Sequence, residues 1–132
     1  MDDARAPGET DLDAMLATLD VVRRPGVFTF VAVDAPGADQ LAVALATIVE
    51  DEAVTLVMQV DDARRFGLPV VVEMAWLTLT VNSSLEAVGL TAAFSRTLAD
   101  AGVSCNVLAG FHHDHLLVPA SDVDRAIEVL RA

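Results

Sequence analysis

The chain has 132 residues, 54% of them hydrophobic, which is apolar material enough for one compact domain or for two half-sized subdomains sharing a core, and extended disorder is not expected. Eight arginines against 20 acids leave a net charge of −12, and a surface of that sign repels phosphate backbones and anionic headgroups, so neither nucleic acid nor membrane is expected as a partner. One Trp and no Tyr leave little for base stacking, the lone Cys105 excludes an internal disulfide or a four-thiolate zinc site, and no apolar run spans a bilayer. The start, Met1-Asp2-Asp3, is acidic where a secretory leader is basic and then apolar. The expectation is a soluble cytoplasmic protein.

Residues 1–10 show no periodicity around Pro7 and Gly8 and read as a loose tail. A first subdomain is expected over 11–69. Leu12, Met15, Leu16 and Leu19 keep helical spacing until Arg23-Arg24-Pro25-Gly26, which reads as a turn, and Val27–Val33 then reads as a buried strand. After Pro36-Gly37, the stripe Leu41, Leu45, Ile48, Val49 suggests a helix from about Asp39 to Asp51. Val54–Gln59 is rich in β-formers, Asp61–Gly67 suits one or two helical turns, and Val70–Glu73 is again extended.

A second subdomain is expected over 70–132. Leu77, Leu79 and Val81 alternate with Trp76, Thr78 and Thr80 as in a half-buried strand. A helix follows, with Leu90, Ala93, Phe94, Thr97, Leu98 and Ala101 on one stripe and Gly102 as its stop. Cys105, Val107 and Ala109 alternate as a second strand, Gly110–Asp114 reads as a polar hairpin, and His115–Val118 as a third strand. Ser121 and Asp124 have capping-box spacing at the head of a last helix whose stripe is Val123, Ala126, Ile127 and Leu130. The order βαββα with short connections implies an α+β sandwich of the ferredoxin-like kind.

Three features of 82–119 go further: Val88-Gly89-Leu90 opening the helix, Ala99–Gly102 closing it, and Val103-Ser104-Cys105-Asn106-Val107 entering the next strand. In these the sequence resembles the ACT-domain family of amino-acid-sensing regulatory modules, and within it the small bacterial tandem-ACT proteins related to aspartokinase-type regulatory domains. A weaker echo runs from Pro25-Gly26 to Glu50-Asp51-Glu52 and the strand after it. The family's order is βαββαβ, whereas this chain stops at Ala132 after the second helix, so a fourth strand is expected from the first half of the chain. That would make two intertwined ACT-like subdomains.

Ser83 and Glu86 also have capping-box spacing, and a helix starting there would aim unpaired N–H groups into the preceding loop, a geometry suited to a carboxylate. Gly89 costs about 1 kcal/mol inside a helix, which argues for a sharp turn or a close approach. The resemblance implies that this loop holds the ligand's backbone groups, giving Ser83, Ser84, Val88, Gly89 and Leu90 as candidates; simple capping is the alternative. Asn106 could bond a ligand or satisfy a neighbouring loop. His112, His113, Asp114 and His115 are metal-ligand types, but strand alternation lets at most two converge, so no metal is expected, and a solvated hairpin tip or a contact to a partner subunit explains them as well. Cys105 reads as an inert core residue. No nucleophile, phosphate-binding or paired His-Glu motif is present. The expected function is therefore regulatory binding of a small molecule, an amino acid or similar metabolite, at an inter-subdomain or homodimer interface, with no cofactor and no catalysis. The alternative is a dimerisation or docking module without a ligand.

Overall fold

A computed structural model describes residues 19–80 and 89–132. Contacts group them into two compact units: a smaller one, Pro25–Ala75, and a larger one whose described part is 19–24 with 76–132. The expected helix through Leu12, Met15 and Leu16 lies outside the described residues.

In the smaller unit, β1 (Asp20–Val33) enters at Pro25 and pairs antiparallel with β3 (Val54–Gln59), from Phe28 opposite Gln59 to Val33 opposite Val54. β2 (Ala46–Val49) lies on the other edge of β3, with Val49 opposite Val54, giving the order β2-β3-β1. Helices α1 (Ala38–Val43) and α2 (Val60–Arg65) follow β1 and β3. Val31, Leu56, Met58 and Ala63 form the buried centre, with Val33, Val54, Phe66 and Leu68 packed around them.

Three expectations for this unit are corrected. Arg23-Arg24-Pro25-Gly26 is not a turn but part of β1: the positive φ of Gly26 (111°) bends the strand without ending it, a conformation glycine adopts without a Cβ penalty. The helix expected to reach Asp51 ends at Val43, and Ile48 and Val49 belong to β2. Thr47-Ile48-Val49 is a β-branched run that loses rotamer freedom in a helix and gains a ladder against β3, so the same apolar spacing resolves as strand. Val70–Glu73 is not a strand; it connects α2 to β4 (Met74–Thr80), and Val71 is 81% exposed.

In the larger unit the order is β1-β4-β6-β5, with Asp20–Arg24 supplying the β1 part. β5 (Asn106–Ala109) and β6 (Asp114–Pro119) form an antiparallel hairpin, Asn106 opposite Leu117 and Ala109 opposite Asp114. α3 (Leu90–Asp100) buries Leu90, Phe94 and Leu98, and α4 (Val123–Arg131) buries Val123, Ala126 and Leu130. The end of α3 is a Schellman motif: Gly102 at φ 74°, its N–H on Ala99 O at 3.0 Å, and Val103 N–H on Leu98 O at 2.9 Å. The expected capping pair Ser121 and Asp124 does not form; a 3₁₀ turn, Ala120–Asp122, leads into α4, and its N-cap Asp122 makes no side-chain cap bond. Cys105 precedes β5 instead of lying within it.

Along the chain the smaller unit reads β1-α1-β2-β3-α2 and then the first residues of β4. The larger reads β4-α3-β5-β6-α4, with its remaining strand taken from Asp20–Arg24. Both are ferredoxin-like, and the smaller is inserted into the larger between residues 24 and 76. The guanidinium of Arg131, at the end of α4, donates to Val21 O at 2.8 Å and lies 3.9 Å from Asp20, fastening the early strand to the last helix. No helix among the described residues is long and apolar enough to cross a membrane.

Thr29, in β1, is fully buried, and its hydroxyl has no hydrogen-bond partner among the described residues. A buried polar group without a partner costs free energy that an apolar group of the same shape avoids. Thr29→Val is therefore expected to raise the unfolding free energy by about 1 kcal/mol in urea denaturation; a lower midpoint would mean that the hydroxyl is bonded in solution.

Candidate functional site

Of the residues proposed to hold a ligand, Ser83, Ser84 and Val88 lie outside the described residues, as does Glu86. Gly89 caps α3 in the left-handed conformation (φ 93°, ψ −10°), and its carbonyl accepts the N–H of Ala93 at 2.9 Å. The helix thus starts at Leu90, after Gly89 and not before it, so the glycine is a turn residue and carries no helix-interior cost. The Leu90 side chain is buried at 5% exposure, which leaves only its backbone to face a ligand. Asn106 is exposed at the start of β5, on a different element from Gly89 and Leu90.

The four-residue run His112–His115 divides between the hairpin loop and β6. His112 and His113 are exposed in the hairpin loop, where Gly110 N–H bonds His113 O at 2.9 Å and Phe111, 78% exposed, meets His112 edge-on at 5.1 Å. His115 turns inward on β6. Among the described residues no three His, Cys, Asp or Glu side chains are placed to hold a metal ion. The half-buried Cys105 thiol has its pKa raised by burial, which keeps it protonated and a poor nucleophile.

His115 is the centre of a polar cluster that sequence reasoning passed over. Its Nδ1 receives the Trp76 indole N–H at 3.2 Å and lies 3.0 Å from Thr78 Oγ1, and its ring meets the Trp76 ring edge-on at 5.5 Å. The Arg24 guanidinium stands 4.8 Å from the Trp76 ring centroid, within range of a cation–π contact. Gly110 closes the other side: a Cβ there would come within 3.0 Å of His115 Nε2. Alternation on β4 placed Trp76 and Thr78 on one face, but nothing in the spacing joined them to residues 115 or 24. Burial, then the charges of His113 and Arg24, lower the His115 pKa, and Asp114 opposes them.

A second feature lies in the smaller unit, where a cleft of about 260 Å³ is lined by Gly26, Val27, Gln59, Val60, Asp61, Arg64 and Glu73. Arg64 and Glu73 form an exposed ion pair at 3.6 Å, a contact of the kind worth at most about 1 kcal/mol and open to competition. One guanidinium flanked by two carboxylates beside the apolar Val27 and Val60 complements a small molecule that carries both an ammonium and a carboxylate. Asp61 and Arg64 share a helical turn, but no sequence spacing links them to Glu73.

The ACT-domain family matches residues 71–132, and it matches 7–75 a second time. The chain belongs to that family. A Vibrio cholerae protein of unknown function, described as a possible transport protein, is 37% identical over 92% of this chain and 94% of its own, with a TM-score of 0.84. The structure of aspartokinase alpha and beta subunits superposes with a TM-score of 0.61 at 15% identity, over 84% of this chain and 94% of that one. The ligand-free regulatory subunit of Thermus thermophilus aspartate kinase does so with a TM-score of 0.57 at 8% identity, over 83% and 93%. At those identities the two kinase structures share the ACT fold. No curated protein matches the chain.

The lowered His115 pKa has a consequence for stability. The unfolded chain, with an ordinary histidine near pH 6.5, takes up a proton before the folded chain does. The stabilisation is thus complete above about pH 6.5 and is lost as pH falls through the folded-state value. Urea midpoints measured from neutral pH downward are expected to fall less steeply in His115→Gln than in the parent; parallel slopes would contradict the assignment.

Proposed function

We propose that this protein is a regulatory ACT-type sensor, not a catalyst, that binds an amino acid or similar small metabolite at an inter-subdomain or dimer interface and acts as a cytoplasmic homodimer. The observation that carries the reading is the double family match, one ACT domain in each half of the chain. The fold shared with an aspartate kinase regulatory subunit supports it. The proposed site is the segment Asn82–Leu90, with Ser83, Ser84, Val88, Gly89 and Leu90 holding the ligand's backbone groups and Asn106 adding an amide. The left-handed backbone of Gly89 supports this placement, because it lets the chain turn sharply where α3 begins.

The cleft around Arg64 is the second place an amino acid would fit, on its charge pattern alone. A thermal-shift screen of the twenty amino acids, with gel filtration of any hit, tests the function. A ligand that binds only the folded chain adds about 2.7 kcal/mol at a hundred times its Kd; no shift at millimolar concentration with any of them contradicts sensing and leaves a dimerisation module. Gly89→Ala forces a side chain into the left-handed region and is expected to cost about 1–2 kcal/mol and to abolish the ligand shift. Arg64→Ala is expected to leave the shift intact; the reverse pattern would move the site to the cleft.

A further inference from the structure

Trp76 is the only tryptophan in the chain, and its indole N–H can donate but not accept. Its contact at 3.2 Å therefore requires a lone pair on His115 Nδ1, which places the ring proton of the neutral histidine on Nε2. Thr78 Oγ1 lies 3.0 Å from the same Nδ1, and a hydroxyl, unlike an indole, can either donate or accept. The two neighbours of one nitrogen thus have opposite tolerance for a proton on it.

We propose that Trp76, His115 and Thr78 form a proton-driven hand-over on the larger unit. With His115 neutral, Nδ1 accepts from Trp76. When Nδ1 takes a proton from solvent, it donates to Thr78 Oγ1 and no longer accepts from the Trp76 N–H. The charged groups around the ring set where this happens. Arg24 of β1, stacked on Trp76, and His113 of the hairpin disfavour the imidazolium, while Asp114 of β6 favours it. β4 contributes the neutral Trp76 and Thr78, and β5 places Leu108 opposite His115. Burial of the ring also disfavours the charge. The exchange thus belongs below the ordinary histidine pKa of about 6.5. It does not depend on the sensing role. Its place on β4, which ends at Thr80, puts a pH-dependent contact close in sequence to the proposed ligand segment beginning at Asn82.

A single tryptophan makes the exchange directly readable. The full chain would be titrated from about pH 8 to about pH 4.5, following Trp76 emission and its one indole ¹H–¹⁵N resonance, with far-UV circular dichroism alongside. The expected result is one transition in both Trp76 signals, centred below about pH 6.5, while the dichroism stays constant. His115→Gln, which keeps a neutral acceptor, removes the transition. Thr78→Val, which deprives the imidazolium of its acceptor, lowers the midpoint by about half a unit or more. Flat Trp76 signals, a transition that survives in His115→Gln, an unmoved midpoint in Thr78→Val, or a transition that coincides with loss of dichroism would each overturn the proposal. Should His115→Gln not fold, the indole resonance of the parent and of Thr78→Val decides the matter unaided.

Discussion

The larger unit is completed by Asp20–Arg24, a strand that precedes the whole smaller unit in sequence, and every other arrangement in the chain has to accommodate that one. An insertion is compatible with a packed host only if the host residues on either side of it come close together. Arg24 and Trp76 are those residues, and the guanidinium of one stacks on the indole of the other. The far end of the strand is held differently, by Arg131 donating to a backbone oxygen and approaching Asp20. Arginine suits both ends: its planar guanidinium stacks on aromatic faces and presents several donors, and its charge persists whatever the pH. The two fastenings use the only permanently charged basic side chain this lysine-free chain possesses.

The same strand shows why some of the fold was legible and some was not. Local signals worked where one element decides its own fate. Gly102 stops α3 through a backbone motif, and Val54–Gln59 is a strand as its own run of β-formers favours. They failed where pairing with a distant segment overrides local preference. Pro25-Gly26 carries the chemistry of a turn, yet partners on either side of the bend carry the strand through it. Ile48 and Val49 fit a helical stripe but gain more from the ladder with β3. A further strand for the larger unit was expected from the first half of the chain; that Asp20–Arg24 supplies it could not be read, because Arg23 and Arg24 looked like the start of a turn.

The candidate site divides along similar lines. Gly89 was picked out by its cost inside a helix, and it caps the helix instead, which answers the anomaly that drew attention to it. For the histidine run, alternation limited how many of the four side chains could converge, but it could not say what His115 meets. The Trp76–His115–Thr78 cluster assembles across two strands 37 and 39 residues apart in sequence, and a pattern read along one strand cannot supply a partner on another. Arg64 and Glu73 are a further case: neither residue type nor spacing marks the pair, and only the chain's return after α2 brings them together.

The bond from Arg131 to Val21 spans 110 positions of sequence, and that separation has a consequence for how the protein comes into being. A ribosome delivers the chain from its start, and contacts between distant segments must wait until both exist. The smaller unit is contiguous and can close as soon as Ala75 has emerged. The larger one is discontinuous, and its contact between Val21 and Arg131 must wait until α4 has been made. Topology thus lets the contiguous unit close early and makes the discontinuous one wait for its last helix.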